Sequence, residues 1–234
     1  GRKEPNHRLL NAMAGAGFHN MSLGIETFSD RLLKSPSIAK GGVRVHHYHM
    51  VLKAIMEHNL FPTINMIMGI PETEPEELIE TIRHALHYIE KPCQLSIAHR
   101  MYAFPGAPIW DREEYPTAFH KWTHPKTGEI VEIPHYYIPH NPTIAKLIPT
   151  LEEASWEEID GVRKRAGWSK DLLVPRMVNT LCTFMAVARG LDQKDLFEGI
   201  NTRLDGMIAE QKRADVDNIL GSMVAEPEAI SAGG

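Results

Sequence analysis

The sequence predicts an α/β fold built on parallel strands, and three observations carry that prediction. Short apolar runs at 18–25, 61–68 and 93–104 are separated by segments whose apolar residues recur at helical spacing. Each run ends in a polar cluster: Gly24-Ile25-Glu26-Thr27, Gly69-Ile70-Pro71-Glu72 and His99-Arg100-Met101-Tyr102. Crossover helices of this length return the chain to the same end of a sheet, so the strands run parallel. Three such strands make half a barrel or a small open sheet, and in both the ligand site lies at the C-terminal strand ends.

Each element has a local reason. From Glu4 to Ala16, Leu9, Leu10, Met13 and Ala16 share a helical face, and Gly17 is a natural terminator. Met21, Leu23 and Ile25 alternate as in a strand. Ser29 is placed to cap a short helix, DRLLKS, before the Gly41-Gly42 break. Tyr48, Val51, Leu52 and Ile55 restore helical spacing, and Asn59 is a C-terminal stop before the strand FPTINMIM. Thr73 and Glu76 have capping-box spacing, so a helix is predicted to start at Thr73, with Leu78, Ile79, Ile82, Ala85, Leu86 and Ile89 as its apolar stripe. After Pro92 the run 93–104 supplies a third strand with Leu95, Ile97 and Met101 inward.

Beyond Phe104 the chain is punctuated by prolines, and FHKWTHPKTGEIVEIPHYY predicts a hairpin turning at Pro125–Gly128. From Ile144 the pattern is helical, with SWEEIDGVRKRAG, VPRMVNTLCTFMAVARG and DLFEGINTRLDGMIAEQ as three candidates and EPEAISAGG as a frayed tail. This divides the chain into 1–110, 111–143 and 144–234.

Composition excludes several classes. The net charge of -5 comes from 30 acidic and 25 basic residues that are well interleaved, which leaves no footprint for nucleic acid. The apolar run from Leu172 to Leu191 is broken by Pro175, Arg176, Asn179 and Arg189, so it reads as a buried helix and not a membrane span. Cys93 and Cys182, far apart, form neither a disulfide framework nor a local thiolate metal site, and a cytoplasmic location is expected. The chain opens at Gly1 in what reads as mid-helix, and is expected to be the C-terminal piece of a longer protein.

The ordered set LLNAMAGAGFHNMSLGIETFSDRLLK, NMIMGIPETEPEELIETI and a strand ending in YAFPGAPIW resembles the second half of the radical S-adenosylmethionine (SAM) barrel. It is closest to the group of oxygen-independent coproporphyrinogen oxidases, methylthiotransferases and cobalamin-dependent radical SAM enzymes, and covers residues 6 to about 110. The resemblance implies a partial TIM-like (β/α) barrel. It also implies reductive cleavage of SAM to a 5'-deoxyadenosyl radical that abstracts a substrate hydrogen. It further implies a small-molecule substrate, a four-iron four-sulfur cluster, a reductant such as flavodoxin or ferredoxin and, in one branch, cobalamin.

By the same resemblance Glu26 approaches the SAM ribose, and Asn65 stands where relatives carry Asp or Gly. Ile67, Gly69 and Glu72 complete a Gly-x-Ile-x-Gly-x-x-Glu pattern, the main chain around Tyr102 meets adenine, and Lys40 pairs with the SAM carboxylate, although its spacing from Glu26 departs from the family's. Independently of the family, an adenosyl group needs an apolar wall, Ile67 and Met68, and acceptors for two hydroxyls, Glu26 and Asn65; Gly69 admits a ligand to the backbone.

The family's Cys-x3-Cys-x2-Cys loop is absent from this sequence, so the cluster ligands are expected on a preceding segment and this piece alone is expected to be inactive. The competing expectation is a non-catalytic binding module that keeps the half-barrel. Glu72 is expected to be structural at a helix-entry turn. Of His46, His47 and His49 only the first and last share a face, which points to a solvated helix start. Strand alternation lets only one of His99 and Arg100 face inward, and the loop from Trp110 to Tyr137 either closes over substrate or packs on the barrel.

Overall fold

The computed structural model describes residues 4–169 and 174–224; the predicted tail at 226–234 and the first residues of the run at 172–191 lie outside them. Helix α1 (His7–Gly15) starts where the Asn6 side chain accepts from the Leu9 amide and stops before Gly17, whose φ of 84° needs a residue without a Cβ. Strand β1 (Asn20–Glu26) follows, two residues later than the apolar run predicts, because Phe18 is 54% exposed. A 3₁₀ turn (Leu32–Lys34) with Arg31 at its N-cap replaces the predicted short helix, and Ser29 Oγ, two residues ahead of that cap, accepts from the Leu32 amide. Helix α2 (Val45–Glu57) ends at Asn59, which takes φ 56°.

Strand β2 (Phe61–Gly69) leads to α3 (Pro75–Leu86), which corrects the predicted cap by one residue. Thr73-x-x-Glu76 and Glu74-x-x-Glu77 are both capping spacings, and Pro75 decides between them: without an amide hydrogen it belongs at the first helical position. The Glu74 amide donates to the Glu77 carboxylate at 3.1 Å, while Thr73 is buried. Strand β3 (Gln94–Arg100) completes a sheet of order β1-β2-β3 with both pairs parallel. It is shorter than the run 93–104, because beyond Arg100 the chain pairs elsewhere: Tyr102 bridges Tyr136 of the hairpin β4 (Thr117–Thr123) and β5 (Ile130–Tyr137). Met101 therefore joins a small core of Ala103, Ile109, Tyr115 and Tyr137, and not the sheet core.

Three long helices follow, α4 (Pro142–Ala166), α5 (Arg176–Gly190) and α6 (Lys194–Val224). Asn141 caps α4 by accepting from the Thr143 and Ile144 amides, and Gly167 at φ 74° ends it. A single core unites Ile64, Met66 and Met68 of β2 and Leu95 of β3 with Leu52 of α2, Leu78 and Ile82 of α3, Ile148 and Leu151 of α4, Phe184 of α5 and Leu204 of α6. The helical segment thus shares its core with the sheet. None of the helices among the described residues is long and apolar enough to cross a membrane.

Parallel sheets are usually covered on both faces. Here strand alternation sends Ile64, Met66 and Met68 into that core and turns Thr63, Asn65 and Ile67 to the other side, where they are half-buried. In register with them are Ser22 and Gly24 of β1, both exposed, and Gln94, Ser96 and Ala98 of β3, half-buried. One face of the sheet is apolar and packed; the other is polar and part-open.

Candidate functional site

The polar face becomes a site at the C-terminal end of β1. Register slips between Gly24 and Glu26, and Glu26 sits at φ 65°, in the left-handed region that a residue with a side chain enters at a cost. This turn folds its carboxylate back over Gly24: a Cβ at Gly24 would lie 2.3 Å from Glu26 Oε1, so a larger residue there would push the carboxylate aside. Lys40 reaches the same point from the loop after the 3₁₀ turn. Its Nζ lies 3.1 Å from Glu26 Oε1 and also donates to the Gly24 carbonyl.

Asn65 is the register partner of Gly24, and its amide donates to Ser22 Oγ at 2.8 Å along the same face. Ile67 is the next residue of β2 on that face and offers an apolar surface beside them. The arrangement is a hydrogen-bonding patch: a carboxylate whose charge a lysine balances, an amide, a hydroxyl and a bare stretch of peptide. Such a patch suits a polar ligand carrying hydroxyls.

Contacts made by residues 27 to 31 hold the strained backbone at Glu26 in place. Thr27 and Thr81 share a hydroxyl bond of 2.9 Å, Thr81 Oγ1 accepts from the Phe28 amide at 3.2 Å, and Ser29 Oγ donates to Glu77 at 2.8 Å. Arg31 adds a bond to the same carboxylate at 2.7 Å and one to the Glu72 carbonyl. These contacts staple the loop after β1 to the start of α3. Arg31 and Ser29 offset the burial that opposes ionisation of Glu77 and keep its pKa below the ordinary value.

Two of the predicted residues lie apart from this patch. Gly69 opens onto protein: an added Cβ would meet the His99 carbonyl at 2.9 Å and Ile148 at 3.0 Å, so close packing of β3 and α4 accounts for the glycine. Tyr102 is 47% exposed and belongs to the hairpin junction, with its ring 5.4 Å from that of His135. Lys40, expected opposite a ligand carboxylate, is here the partner of Glu26. Glu72 is structural, tying Ser37 and Tyr115 to the β2–α3 turn, with the Tyr115 hydroxyl donating at 2.7 Å.

The remaining candidates resolve similarly. His99 lines a cavity of about 460 Å³ between β3 and the α4–α5 pair, where burial holds its pKa below the ordinary value. Arg100 donates to the Pro149 carbonyl at 2.9 Å and covers the Tyr136 ring at 4.9 Å. Residues 110–137 pack through Tyr115 and Tyr137 into the small core. His46 lies ring to ring with His47 at 3.9 Å, while His49 turns inward toward α3.

Sequence reasoning missed Tyr48. It looks like one more apolar residue of the α2 stripe, yet its hydroxyl is buried without a partner among the described residues, and its pKa is pushed up to about 12 by burial and then by the charge of Glu26. A tyrosine among aliphatic residues was the available signal.

Neither cysteine fits a cluster ligand. Cys93 donates to the Tyr88 carbonyl and Cys182 is fully buried, and burial pushes their thiols up to about 11 and about 12. Among the described residues no group of His, Cys, Asp and Glu is arranged to hold a metal ion. Comparisons with protein-family models, curated proteins and solved structures return no match for this chain.

Proposed function

We propose that residues 1–110 are the SAM-binding half of a radical SAM barrel, within a longer cytoplasmic enzyme whose preceding segment carries the iron-sulfur cluster. The observation that carries this reading is Glu26. A strained backbone places its carboxylate over Gly24, on the open polar face of a parallel sheet and beside Asn65. The open face supports the barrel reading, since in a barrel that face points inward and other strands enclose it.

The residues present suit the ligand. Glu26 and Asn65 would take the two ribose hydroxyls, Lys40 the amino-acid carboxylate, and Ile67 one face of the adenine. Tyr102 retains a role compatible with its place. The bonds of its bridge run from the Tyr137 amide to the Met101 carbonyl and from the Ala103 amide to the His135 carbonyl. The amide and carbonyl of Tyr102 itself therefore turn away from the hairpin, available to an adenine edge. Bound to a reduced cluster, SAM supplies the radical that takes a hydrogen atom from substrate. No residue of this chain is assigned to that step.

Anaerobic SAM titration of the polypeptide that includes the cluster-bearing segment tests the reading. Glu26→Ala is expected to weaken SAM binding by about 1–3 kcal/mol, the cost of leaving a buried hydrogen-bond partner unmatched, with iron content unchanged. Equal affinity in the variant, or absence of SAM binding in the wild type, favours the alternative of a binding module without radical chemistry.

A further inference from the structure

We propose that the groove between α2 and α3 binds an aromatic anion and takes up a proton as it does so. The groove encloses about 630 Å³, and the inference is independent of the site on the sheet. His49 of α2 meets His84 of α3, with Nε2 to Nδ1 at 3.1 Å. The ring of His87 stands edge-on to His49 at 6.3 Å, and His87 Nε2 lies 2.7 Å from Lys91 Nζ.

Three cations, Arg83, Lys53 and Lys91, line the groove with the three imidazoles and two carboxylates, Glu76 and Glu80, so that protonation of the imidazoles tips its charge toward the positive. Glu80 stands 3.9 Å from His84 Nε2, and Glu57 answers Lys53 at 3.7 Å. The contact between His49 and His84 holds one hydrogen, donated by one nitrogen and accepted by the other. Since the Tyr88 hydroxyl engages His49 Nδ1, both nitrogens of His49 are occupied. A proton gained by the pair has Glu80 as its carboxylate neighbour, with Arg83 and Lys91 also lining the groove. Burial first, and then charge interaction with the His84, His87 and Lys91 side chains, hold His49 below the ordinary histidine range. A bound anion adds further counter-charge, so protonation and anion binding favour each other.

The walls select an aromatic partner. His49 and Tyr88, near-parallel at 11°, line the groove as an aromatic layer with His84, tilted 41° to His49, and the fully buried Phe28 backs all three. Met56 adds apolar surface to the same groove. A flat ring lies against that layer while its anionic group meets the imidazoles and Arg83.

The test is a titration of the intact chain with benzenesulfonate, whose charge is constant across the histidine range, followed by nuclear magnetic resonance of the imidazole C2 protons. Saturable binding that shifts the His49, His84 and His87 signals is expected at about pH 6, weakening about tenfold or more by about pH 8. Methanesulfonate and benzyl alcohol should each bind at least about fivefold more weakly, since each lacks half of what the groove recognises. His84→Gln should abolish the pH dependence. His87→Gln, at an exposed position, should weaken binding about fivefold with folding intact. Binding that does not saturate, that is equal at the two pH values, that either control matches, or that survives His87→Gln unchanged overturns the proposal.

Discussion

Substituting Glu26 by alanine and by glycine separates backbone strain from the ion pair it carries. Both substitutions remove the carboxylate and its 3.1 Å contact with Lys40, a pair whose side chains are 22% and 31% exposed. A part-exposed pair of this kind contributes about 0.5–1 kcal/mol. Alanine retains a Cβ at φ 65°, which costs about 1–2 kcal/mol in the left-handed region. Glycine relieves that cost but adds about 0.4–1 kcal/mol of unfolded-chain entropy. Glu26→Ala should therefore be less stable than wild type by about 0.5–1 kcal/mol, while Glu26→Gly should exceed Glu26→Ala by about 0.5–1 kcal/mol, the reverse of the usual order of the two residues. Equilibrium urea unfolding with unchanged m-values measures both differences. An alanine variant as stable as the glycine variant, or more so, refutes the idea that the fold holds this residue in strain. It would also remove the reason for regarding Glu26 as positioned for a ligand.

Two further expectations rest on packing and protonation. Gly69→Ala should lower stability by about 1–3 kcal/mol, because the new methyl meets a backbone carbonyl that has nowhere to move. For a chain of this size that is a fall of roughly 2–4 °C in melting temperature per kcal/mol, and an unchanged melt would show that the His99 carbonyl and Ile148 yield freely. His49 and His99 both have pKa values lowered chiefly by burial, so the unfolded chain binds protons that the folded chain refuses. Stability is then fully present above the ordinary histidine value of about 6.5 and lost as pH falls from there through the depressed folded values. Urea unfolding at several pH values should show this slope reduced in His49→Gln, and a slope of opposite sign would contradict the burial argument.

The order of elements was legible because the two periodicities alternate cleanly, and the polar strand ends fall together at one end of the parallel sheet. Boundaries were legible only where one residue type dominates the local chemistry. Gly17 and Asn59 end helices as their backbone preferences demand, whereas the start of α3 depended on Pro75 choosing between two overlapping caps. The third strand was overestimated since pairing beyond Arg100 is with β5, a partner that local alternation does not reveal. At the site, the nearness of Glu26 and Asn65 comes from strand register. The left-handed turn does not, because nothing in a glutamate favours it; the bonds from Thr27, Ser29 and Arg31 to α3 impose it from a distance in sequence. Gly69 shows the converse, a glycine whose neighbours, not a ligand, demand its bareness.

The Glu72 carboxylate, where Ser37, Tyr115 and the β2–α3 turn meet, bears on how the molecule opens. Two loops of the chain, spanning 35 and 43 positions, close on one pair of oxygens. Closing each loop costs entropy, and one shared anchor makes the second closure easier once the first is made. These segments are therefore expected to form a single cooperative unit: amide protons near Ser37 and Tyr115 would exchange with solvent at a common rate, and Glu72→Gln would release both loops together.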